Sequence, residues 1–254
     1  MRLDKYLTEA GFAESRTRAA RLIESGKVAV DGKAITKSAF EVPDGAKVTV
    51  AQDDCPYVSR GGLKLQGALD AFGIDPCGMV CADIGASTGG FTHCLLTKGA
   101  IRIYAVDSGR DQLHSSLRQD GRVVSMEGCN ARYLTAADLG ELVDLAVTDV
   151  SFISQTLLHN VIASLLKEGG GFVSLIKPQF EVGRENLGKG GIVKNPNVRR
   201  EAARRVMASA MAAGLAPIAI VPSPITGGDG NIEYLAHFIK QPISGPIPET
   251  DHLP

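Results

Sequence analysis

Two ionisable residues follow apolar, strand-like runs at positions where acid–base chemistry is possible. Lys177 follows the run 172–176 and precedes a proline, and Asp149 follows the run 143–147. Partial burial lowers the pKa of a lysine, and neighbouring carboxylates oppose that effect. An amine tuned in this way can take up a proton or hold an oxyanion, with a carboxylate orienting it. The alternative is a structural ion pair, because such pairs also perturb pKa values.

The elements that would position these residues alternate along the chain. Strands are predicted at 79–84, 101–106, 122–126, 143–149, 171–176, 217–222 and 231–239, and helices at 90–98, 111–118, 154–167 and 197–213. This alternation predicts an α/β fold with a largely parallel sheet and helices on both faces. Ligands bind such sheets at the carboxyl ends of the strands. That rule selects Asp83, Asp107, Asn130, Asp149 and Lys177, with Glu233 at the start of an apolar strand as a further candidate.

The stretch 83–91, DIGASTGGF, joins the first of these strands to a helix. Gly85 allows a sharp turn, and Gly89 allows the backbone to approach a ligand closely. The unpaired N–H groups of the following helix start can also face that ligand. Asp107 ends the next strand, where a carboxylate can accept hydrogen bonds from both hydroxyls of a ribose. The pattern indicates a nucleotide site, although a tight turn in any α/β protein would look similar.

The first 50 residues predict two short helices followed by a hairpin at Asp31-Gly32. The segment RLDKYL…SRTRAARLIESGKVAVDGK, residues 2–33, resembles the S4-like RNA-binding domain. The resemblance implies that cations of this unit grip folded RNA, mainly through phosphate contacts. The alternative is a solvated charged face. The candidate RNA-binding residues here are Arg2, Lys5, Arg16, Arg18, Arg21 and Lys27.

Composition limits the remaining possibilities. The chain has 254 residues, 44% hydrophobic and 22% charged, with a formal net charge of −1, which is ordinary for a globular protein. Five cysteines without CxxC spacing predict neither a disulfide framework nor a zinc site, and they favour a reducing cytoplasm. No apolar run is long enough to predict a membrane span.

Several motifs together carry a resemblance to one family. They are YVSRGGLKL, DIGASTGGFT, TDVSFIS and KPQFE, with the amino-terminal unit before them. Over residues 2–240 the chain resembles the TlyA (hemolysin A) family of ribosomal RNA 2′-O-ribose methyltransferases. Lys64, Asp149, Lys177 and Glu233 match the Lys-Asp-Lys-Glu tetrad of FtsJ-type enzymes. The resemblance implies a Rossmann-like class I methyltransferase domain with a seven-stranded, mostly parallel sheet.

The same resemblance implies roles for individual residues. S-adenosyl-L-methionine would be the cofactor, no metal would be required, and a cytidine 2′-hydroxyl of ribosomal RNA would accept the methyl group. Lys177 would activate that hydroxyl, Asp149 would orient Lys177, and Lys64 and Glu233 would complete the hydrogen-bond network. The cofactor-binding residues would be Asp83, Gly85, Ser87, Gly89, Asp107 and Asn130, and Arg60 would join the RNA-binding residues.

The predicted boundaries are 1–56 for the RNA-binding domain, 57–64 for a linker, 65–240 for the methyltransferase domain and 241–254 for a disordered tail. Some family members carry a tryptophan in the linker, where this chain has CPYV at 55–58. Which ribosomal RNA is used, whether the acceptor is an assembled subunit or free RNA, and the oligomeric state all stay open.

Three other functions compete with this interpretation. A membrane-lytic protein is suggested by the family's other name, but the sequence predicts neither a membrane span nor a strongly amphipathic surface helix. An RNA-binding protein without catalysis is disfavoured by the complete tetrad. An NAD-dependent oxidoreductase is disfavoured because the turn lacks a full G-x-G-x-x-G run.

Overall fold

The described residues form two sheets, one of three strands near the amino terminus and one of seven strands. The structure is a computed structural model, and it describes residues 1–13, 15–51, 55–241 and 248–254. The side chains of Arg18 and Arg21 lie outside the described part. The chain divides into two compact units, Met1–Asp54 and Cys55–Pro254. The predicted boundary after residue 56 lies close to this division.

The first unit is a small α+β fold. Its elements are α1 (Leu3–Glu9), α2 (Arg16–Glu24), β1 (Val28–Val30), β2 (Lys33–Ala34) and β3 (Val48–Val50). β1 lies between β2 and β3 and pairs antiparallel with both. Asp31 and Gly32 have φ angles of 49° and 77°, which suit a tight hairpin between β1 and β2. The predicted helix–helix–hairpin order is therefore confirmed.

The second unit alternates strands and helices. Its strands are β4 (Val80–Ile84), β5 (Arg102–Asp107), β6 (Val123–Glu127), β7 (Val143–Thr148), β8 (Leu166–Ile176), β9 (Leu215–Pro222) and β10 (Tyr234–Lys240). Its helices are α3 (Gly61–Phe72), α4 (Gly90–Thr97), α5 (Ser115–Arg118), α6 (Ala136–Leu139), α7 (His159–Leu165), α8 (Pro178–Glu181) and α9 (Pro196–Ala212). Short 3-10 turns lie at Ala131–Tyr133, Gln155–Leu157, Arg184–Asn186 and Lys189–Gly191.

The seven strands lie in the order β6-β5-β4-β7-β8-β10-β9. The first five are parallel, and β10 runs antiparallel between β8 and β9. Side chains of β4 alternate between two cores, with Val80 and Ala82 in one and Cys81 in the other. The sheet is thus buried on both faces, and the predicted α/β fold with a mostly parallel seven-stranded sheet is confirmed.

Strand register brings the candidate residues to one edge of this sheet. Thr148 of β7 pairs with Ile84 on one side and with Ser174 on the other. Asp149 therefore follows β7 beside the turn that ends β4, and Lys177 directly follows β8. Because β10 is antiparallel and pairs Tyr234 with Ile176, Glu233 enters from the same edge.

Two predicted helices are shorter than expected. The helix predicted at 111–118 forms only at Ser115–Arg118, because the backbone N–H groups of Gln112 and Leu113 donate to Glu127 Oε1 instead. The helix predicted at 154–167 is a 3-10 turn followed by α7, and β8 already begins at Leu166.

The predicted linker and tail also differ from the structure. Residues 57–64 belong to the second unit, in which Tyr57 is buried and α3 begins at Gly61. The prediction of a disordered tail was wrong for residues 248–254. Leu253 is 1% exposed and joins the larger core, and the Pro254 carbonyl accepts hydrogen bonds from Arg199 and Tyr234. The rest of the predicted tail, apart from Gln241, lies outside the described residues.

Candidate active site

The turn after β4 passes unusually close to the end of β7. The Gly85 N–H donates to the Val106 carbonyl over 2.8 Å, and the φ angles of Gly85 and Gly89 are 87° and 93°. A Cβ atom at Gly85 would lie 2.9 Å from the Asp149 carbonyl oxygen. Real Cβ atoms do not approach backbone oxygen so closely, so both the left-handed conformation and the contact require glycine.

We expect Gly85→Ala to impair folding or displace Asp149, whereas Gly78→Ala should cost much less. Gly78 has a similar φ of 75°, but a Cβ atom there meets nothing within 4 Å. The control therefore carries the backbone strain, about 1 kcal/mol, without the clash. Urea unfolding of the two variants measures the difference, and equal losses of stability would contradict the steric explanation.

A cavity of about 470 Å³ opens beside this turn, at the carboxyl ends of β4, β5 and β7. Gly85, Ser87, Asp107, Asn130 and Asp149 line it. Asp107 Oδ2 accepts from the Ser87 N–H over 2.8 Å, and Oδ1 accepts from the Gly109 N–H over 2.7 Å. These bonds fix a carboxylate whose remaining lone pairs can accept hydrogen bonds from a ligand's hydroxyls.

Asn130 caps the 3-10 turn that follows β6. Its side-chain oxygen accepts from the Arg132 N–H over 3.1 Å. The cap holds the side chain of Asn130, which lines the cavity. Gly89, also predicted to bind the cofactor, is the left-handed residue before α4 and does not line this cavity.

Asp83 is placed differently from the other predicted cofactor residues. Its side chain is fully buried, does not line the cavity, and accepts from the Thr92 hydroxyl over 2.6 Å. Burial raises the pKa of this carboxyl to about 7, and the Thr92 hydrogen bond only partly offsets that rise. In the structure Asp83 ties β4 to α4 beneath the glycine turn.

The raised pKa predicts that this group weakens the fold as pH rises. Between the unfolded pKa of 3.8 and the folded pKa of about 7, the native protein holds a proton that the unfolded chain has lost. The free energy of unfolding should fall by about 1.4 kcal/mol per pH unit in that window. Asp83→Asn should remove this part of the slope, which urea unfolding at pH 5, 6 and 7 measures. If the pH dependence of the free energy of unfolding is unchanged in Asp83→Asn, it does not arise from Asp83.

Lys177 and Asp149 form an ion pair at the centre of the sheet edge. Lys177 Nζ lies 2.5 Å from Asp149 Oδ1 and donates to Ser151 Oγ over 2.8 Å. The two side chains are 12% and 22% exposed, so the pair is mostly shielded but remains accessible. An amine held in this way presents its nitrogen to a cavity of about 240 Å³, which Lys64 also lines.

Lys64 and Glu233 form a second, more deeply buried pair. Lys64 Nζ lies 2.5 Å from Glu233 Oε2, and the residues are 8% and 3% exposed. α3 supplies the lysine, and the segment before β10 supplies the glutamate. Both residues line a cavity of about 350 Å³ together with Lys177. The four tetrad residues are thus brought together, and two cations and two anions face adjoining cavities.

Sequence reasoning missed several residues of this site. Ser151 hydrogen-bonds to Lys177, and Phe152 lines the cavities beside both Asp107 and Lys177. Phe152 is 89% exposed, has a φ of 66° and packs 5.3 Å from the Phe180 ring. Both residues stand in the TDVSFIS motif, and an aromatic residue directly after a candidate site was the available signal.

The predicted RNA-binding cations lie in both units. In the first unit Arg2 and Arg16 both contact the buried carboxylate of Asp4, at 3.1 and 2.7 Å. Hydrogen bonds from these arginines lower the pKa of Asp4 to about 2. Lys5 is 57% exposed and Lys27 partly exposed. In the second unit Arg60 is exposed and lines the cavity beside Lys177. The side chains of Arg18 and Arg21 lie outside the described part.

Comparison with protein families agrees with this geometry. The model of the FtsJ-like methyltransferases matches residues 57–240, well over half of the chain. The chain belongs to the FtsJ-like methyltransferase family. It is therefore an enzyme that transfers methyl groups. The model of the S4 domain matches residues 1–48, so this methyltransferase carries an S4 domain before its catalytic unit.

Two curated relatives cover nearly the whole of this methyltransferase. The 16S/23S rRNA (cytidine-2′-O)-methyltransferase TlyA of Mycobacterium tuberculosis is 44% identical over 234 residues, which are 92% of this chain and 87% of the relative. The 23S rRNA (cytidine-2′-O)-methyltransferase TlyA of Campylobacter jejuni is 33% identical over 262 residues, covering 94% of this chain and all of the relative.

A solved structure from Streptococcus thermophilus, which carries a hemolysin description, superimposes with a TM-score of 0.77. It is 42% identical in sequence, and the match covers 96% of this chain and 90% of that one. Across the described ranges of the FtsJ-like chain, we find no helix with the length and apolar character needed to span a membrane.

Proposed function

We propose that this FtsJ-like enzyme uses S-adenosyl-L-methionine to methylate the ribose 2′-hydroxyl of a cytidine in ribosomal RNA. The observation that carries the proposal is the Lys177–Asp149 pair, 2.5 Å apart, at the junction of the cofactor-sized cavity and the cavities lined by Lys64 and Glu233. The names of the two curated relatives support the acceptor atom and the RNA.

The 470 Å³ cavity suits an adenosine-containing cofactor. Gly85 lines the cavity with its backbone alone, and the fixed carboxylate of Asp107 can accept hydrogen bonds from ribose hydroxyls. Asn130 would face the other side of the nucleoside, while Ser87 would approach it with its backbone. When bound, S-adenosyl-L-methionine supplies a methyl group on a positively charged sulfur, which is already activated for transfer.

The tetrad would act on the acceptor ribose. Lys177, in its amine form, would accept the proton of the 2′-hydroxyl, whose oxygen would take the activated methyl group that S-adenosyl-L-methionine supplies. Asp149 then stabilises the ammonium that Lys177 becomes, and Ser151 keeps its nitrogen in place. The Lys64–Glu233 pair would align the ribose by hydrogen bonds, so that its oxygen lies behind the methyl group.

Asp107→Ala should weaken cofactor binding by about tenfold to a hundredfold, because hydrogen bonds to a charged group are worth about 1.5–3 kcal/mol. Calorimetric titration with S-adenosyl-L-methionine measures the change in Kd. Asp70→Ala is the matched control, since Asp70 is an exposed carboxylate on α3 paired with Lys98. A Kd for Asp107→Ala equal to that of the control would exclude the carboxylate from the cofactor site.

The proposed RNA partner rests on the S4 domain and on the cations placed above. Arg2, Lys5, Arg16, Arg18, Arg21 and Lys27 would contact phosphates from the first unit, and Arg60 would do so from the second. Such contacts position the RNA without reading its sequence. The methylated nucleotide would then be chosen by the site around Lys177.

Transfer of a labelled methyl group to small subunits, to large subunits and to naked ribosomal RNA tests the proposal. We expect the label to be incorporated into at least one of these three acceptors. If the purified protein binds the cofactor but labels none of the three, the proposed substrate is wrong.

A further inference from the structure

The carboxyl-terminal residues 248–254, which we call the terminal segment, are anchored in the second unit. Leu253 and Thr250 are each 1% exposed, and Leu253 belongs to the core on the α9 side of the sheet. Arg200 Nη1 donates to the Leu253 carbonyl over 2.9 Å, and Arg204 pairs with Asp251 at 2.5 Å. Several independent contacts therefore hold this segment against α9.

The end of the terminal segment reaches two residues connected to the site. The Pro254 carbonyl oxygen accepts from the Tyr234 hydroxyl over 2.6 Å and from Arg199 Nε over 3.2 Å. Tyr234 is fully buried and directly follows Glu233. Its partner across the sheet is Ile176, which directly precedes Lys177. The terminal segment is thus one contact away from the strand ends beside Glu233 and Lys177.

Arg199 extends the connection to the loop 184–194, which links α8 to α9. Its guanidinium is buried, and Nη1 donates to the carbonyls of Val193 and Lys194 over 3.0 and 2.9 Å. From the other side, the buried amide of Asn231 accepts from the Val193 N–H and donates to the Gly191 carbonyl. Because both partners are buried, the end of this loop is held in one place.

The loop 184–194 forms a wall of the 350 Å³ cavity. Leu187 and Gly191 line that cavity together with Lys64, Lys177 and Glu233. Lys189 and Lys194 on the same loop are exposed, as cations near an RNA acceptor would be. A change in the anchoring of this loop would therefore alter the acceptor side of the site. The 470 Å³ cavity contains no residue of this loop.

We propose that the terminal segment is a strap that positions the loop 184–194 and Glu233 for the acceptor ribose, and so determines the KM for RNA. The proposal rests on the proposed function, since the acceptor is taken to be RNA. Without the Pro254 carbonyl, the buried side chains of Tyr234 and Arg199 lose an acceptor. The loop then samples positions that RNA must reorder on binding, which raises KM. The binding of S-adenosyl-L-methionine is unaffected.

Deletion of residues 248–254 tests the strap. We expect the KM for RNA to rise about tenfold, the cost of reordering a loop on binding, while the Kd for S-adenosyl-L-methionine stays within about twofold. Trypsin should cleave faster after Arg184, Lys189 or Lys194 in the shortened protein. A synthetic peptide of residues 248–254 should restore both the KM and the resistance to trypsin, and the same peptide with Leu253→Asp should not.

Point variants serve if the shortened protein does not fold. Tyr234→Phe removes one of the two donors to Pro254 and should raise KM for RNA and trypsin cleavage in the same direction. Asp251→Asn is the matched control, because it breaks the exposed pair with Arg204 but keeps the contacts of Pro254. If Tyr234→Phe changes neither the KM for RNA nor the rate of trypsin cleavage, the proposal that the terminal segment is a strap is wrong.

An equal loss of cofactor and RNA binding in Tyr234→Phe would also overturn it, because the terminal segment would then not act on the acceptor side alone. The trypsin and cofactor measurements need no methyl transfer. If the intact protein methylates no RNA, the proposed function fails, and the cleavage rates still decide whether the terminal segment holds the loop.

Discussion

Lys177→Met should lower kcat for methyl transfer by about a hundredfold to ten-thousandfold, the usual contribution of a positioned proton acceptor. Methionine keeps the unbranched shape of the side chain but has no amine, so the 2′-hydroxyl loses the group that takes its proton. The Kd for S-adenosyl-L-methionine should change little, because Lys177 does not line the 470 Å³ cavity. Single-turnover methylation with saturating cofactor measures the effect.

The matched control for this prediction is Lys167→Met. Lys167 lies near the opposite end of the same strand, β8, where it pairs with Asp144 at 2.6 Å. It is 47% exposed, and surface pairs of this kind contribute at most about 1 kcal/mol. The control should retain normal turnover. Near-normal turnover in Lys177→Met would remove Lys177 from its proposed role, whatever the control does.

Substitutions in the buried Lys64–Glu233 pair should have two large effects that can be separated, one on the free energy of unfolding and one on methyl transfer. Lys64→Met or Glu233→Met alone leaves one charge buried without its partner, which should lower the free energy of unfolding by about 3–5 kcal/mol. The double variant removes both charges and should recover most of that stability. Because the proposed alignment of the ribose needs the polar groups themselves, all three variants should be deficient in methyl transfer.

Urea unfolding and methyl transfer, measured on the same preparations, separate the two effects. Breaking the exposed Lys98–Asp70 pair is the control and should cost about 1 kcal/mol or less, with normal activity. A stable and fully active double variant would show that the pair is structural. A double variant as unstable as the single ones would contradict the electrostatic explanation.

The fold and the centre of the site follow from local sequence patterns. Alternating apolar runs predicted the parallel sheet, and the rule of strand ends located Asp107, Asn130, Asp149 and Lys177. The location of these residues at one edge could be predicted because the carboxyl ends of parallel strands share that edge, whatever their loops do. Glu233 was predicted at the start of a strand, and its entry from the same edge depends on β10 being antiparallel, which the pairing with β8 shows.

What sequence reasoning missed depends on contacts between distant segments. The tail 241–254 was predicted to be disordered because it is rich in proline and lies beyond the resemblance. In the structure Leu253 packs in the core, and Pro254 contacts Arg199, 55 positions away. Asp83 looked like a ligand-binding acid at a strand end. The residue pattern of β4 could not show that the side chain of Asp83 lies under the turn, against Thr92, and not in the cavity.

The central claim is that this FtsJ-like enzyme methylates a ribose oxygen and not a base. Alkaline hydrolysis of RNA labelled with a radioactive methyl group tests it directly, because cleavage by alkali requires a free 2′-hydroxyl. We predict that the label appears in alkali-resistant dinucleotides whose 5′ nucleoside is 2′-O-methylcytidine, and that Lys177→Met forms them at least about a hundredfold more slowly. Label in mononucleotides, or in a methylated base, would contradict the account.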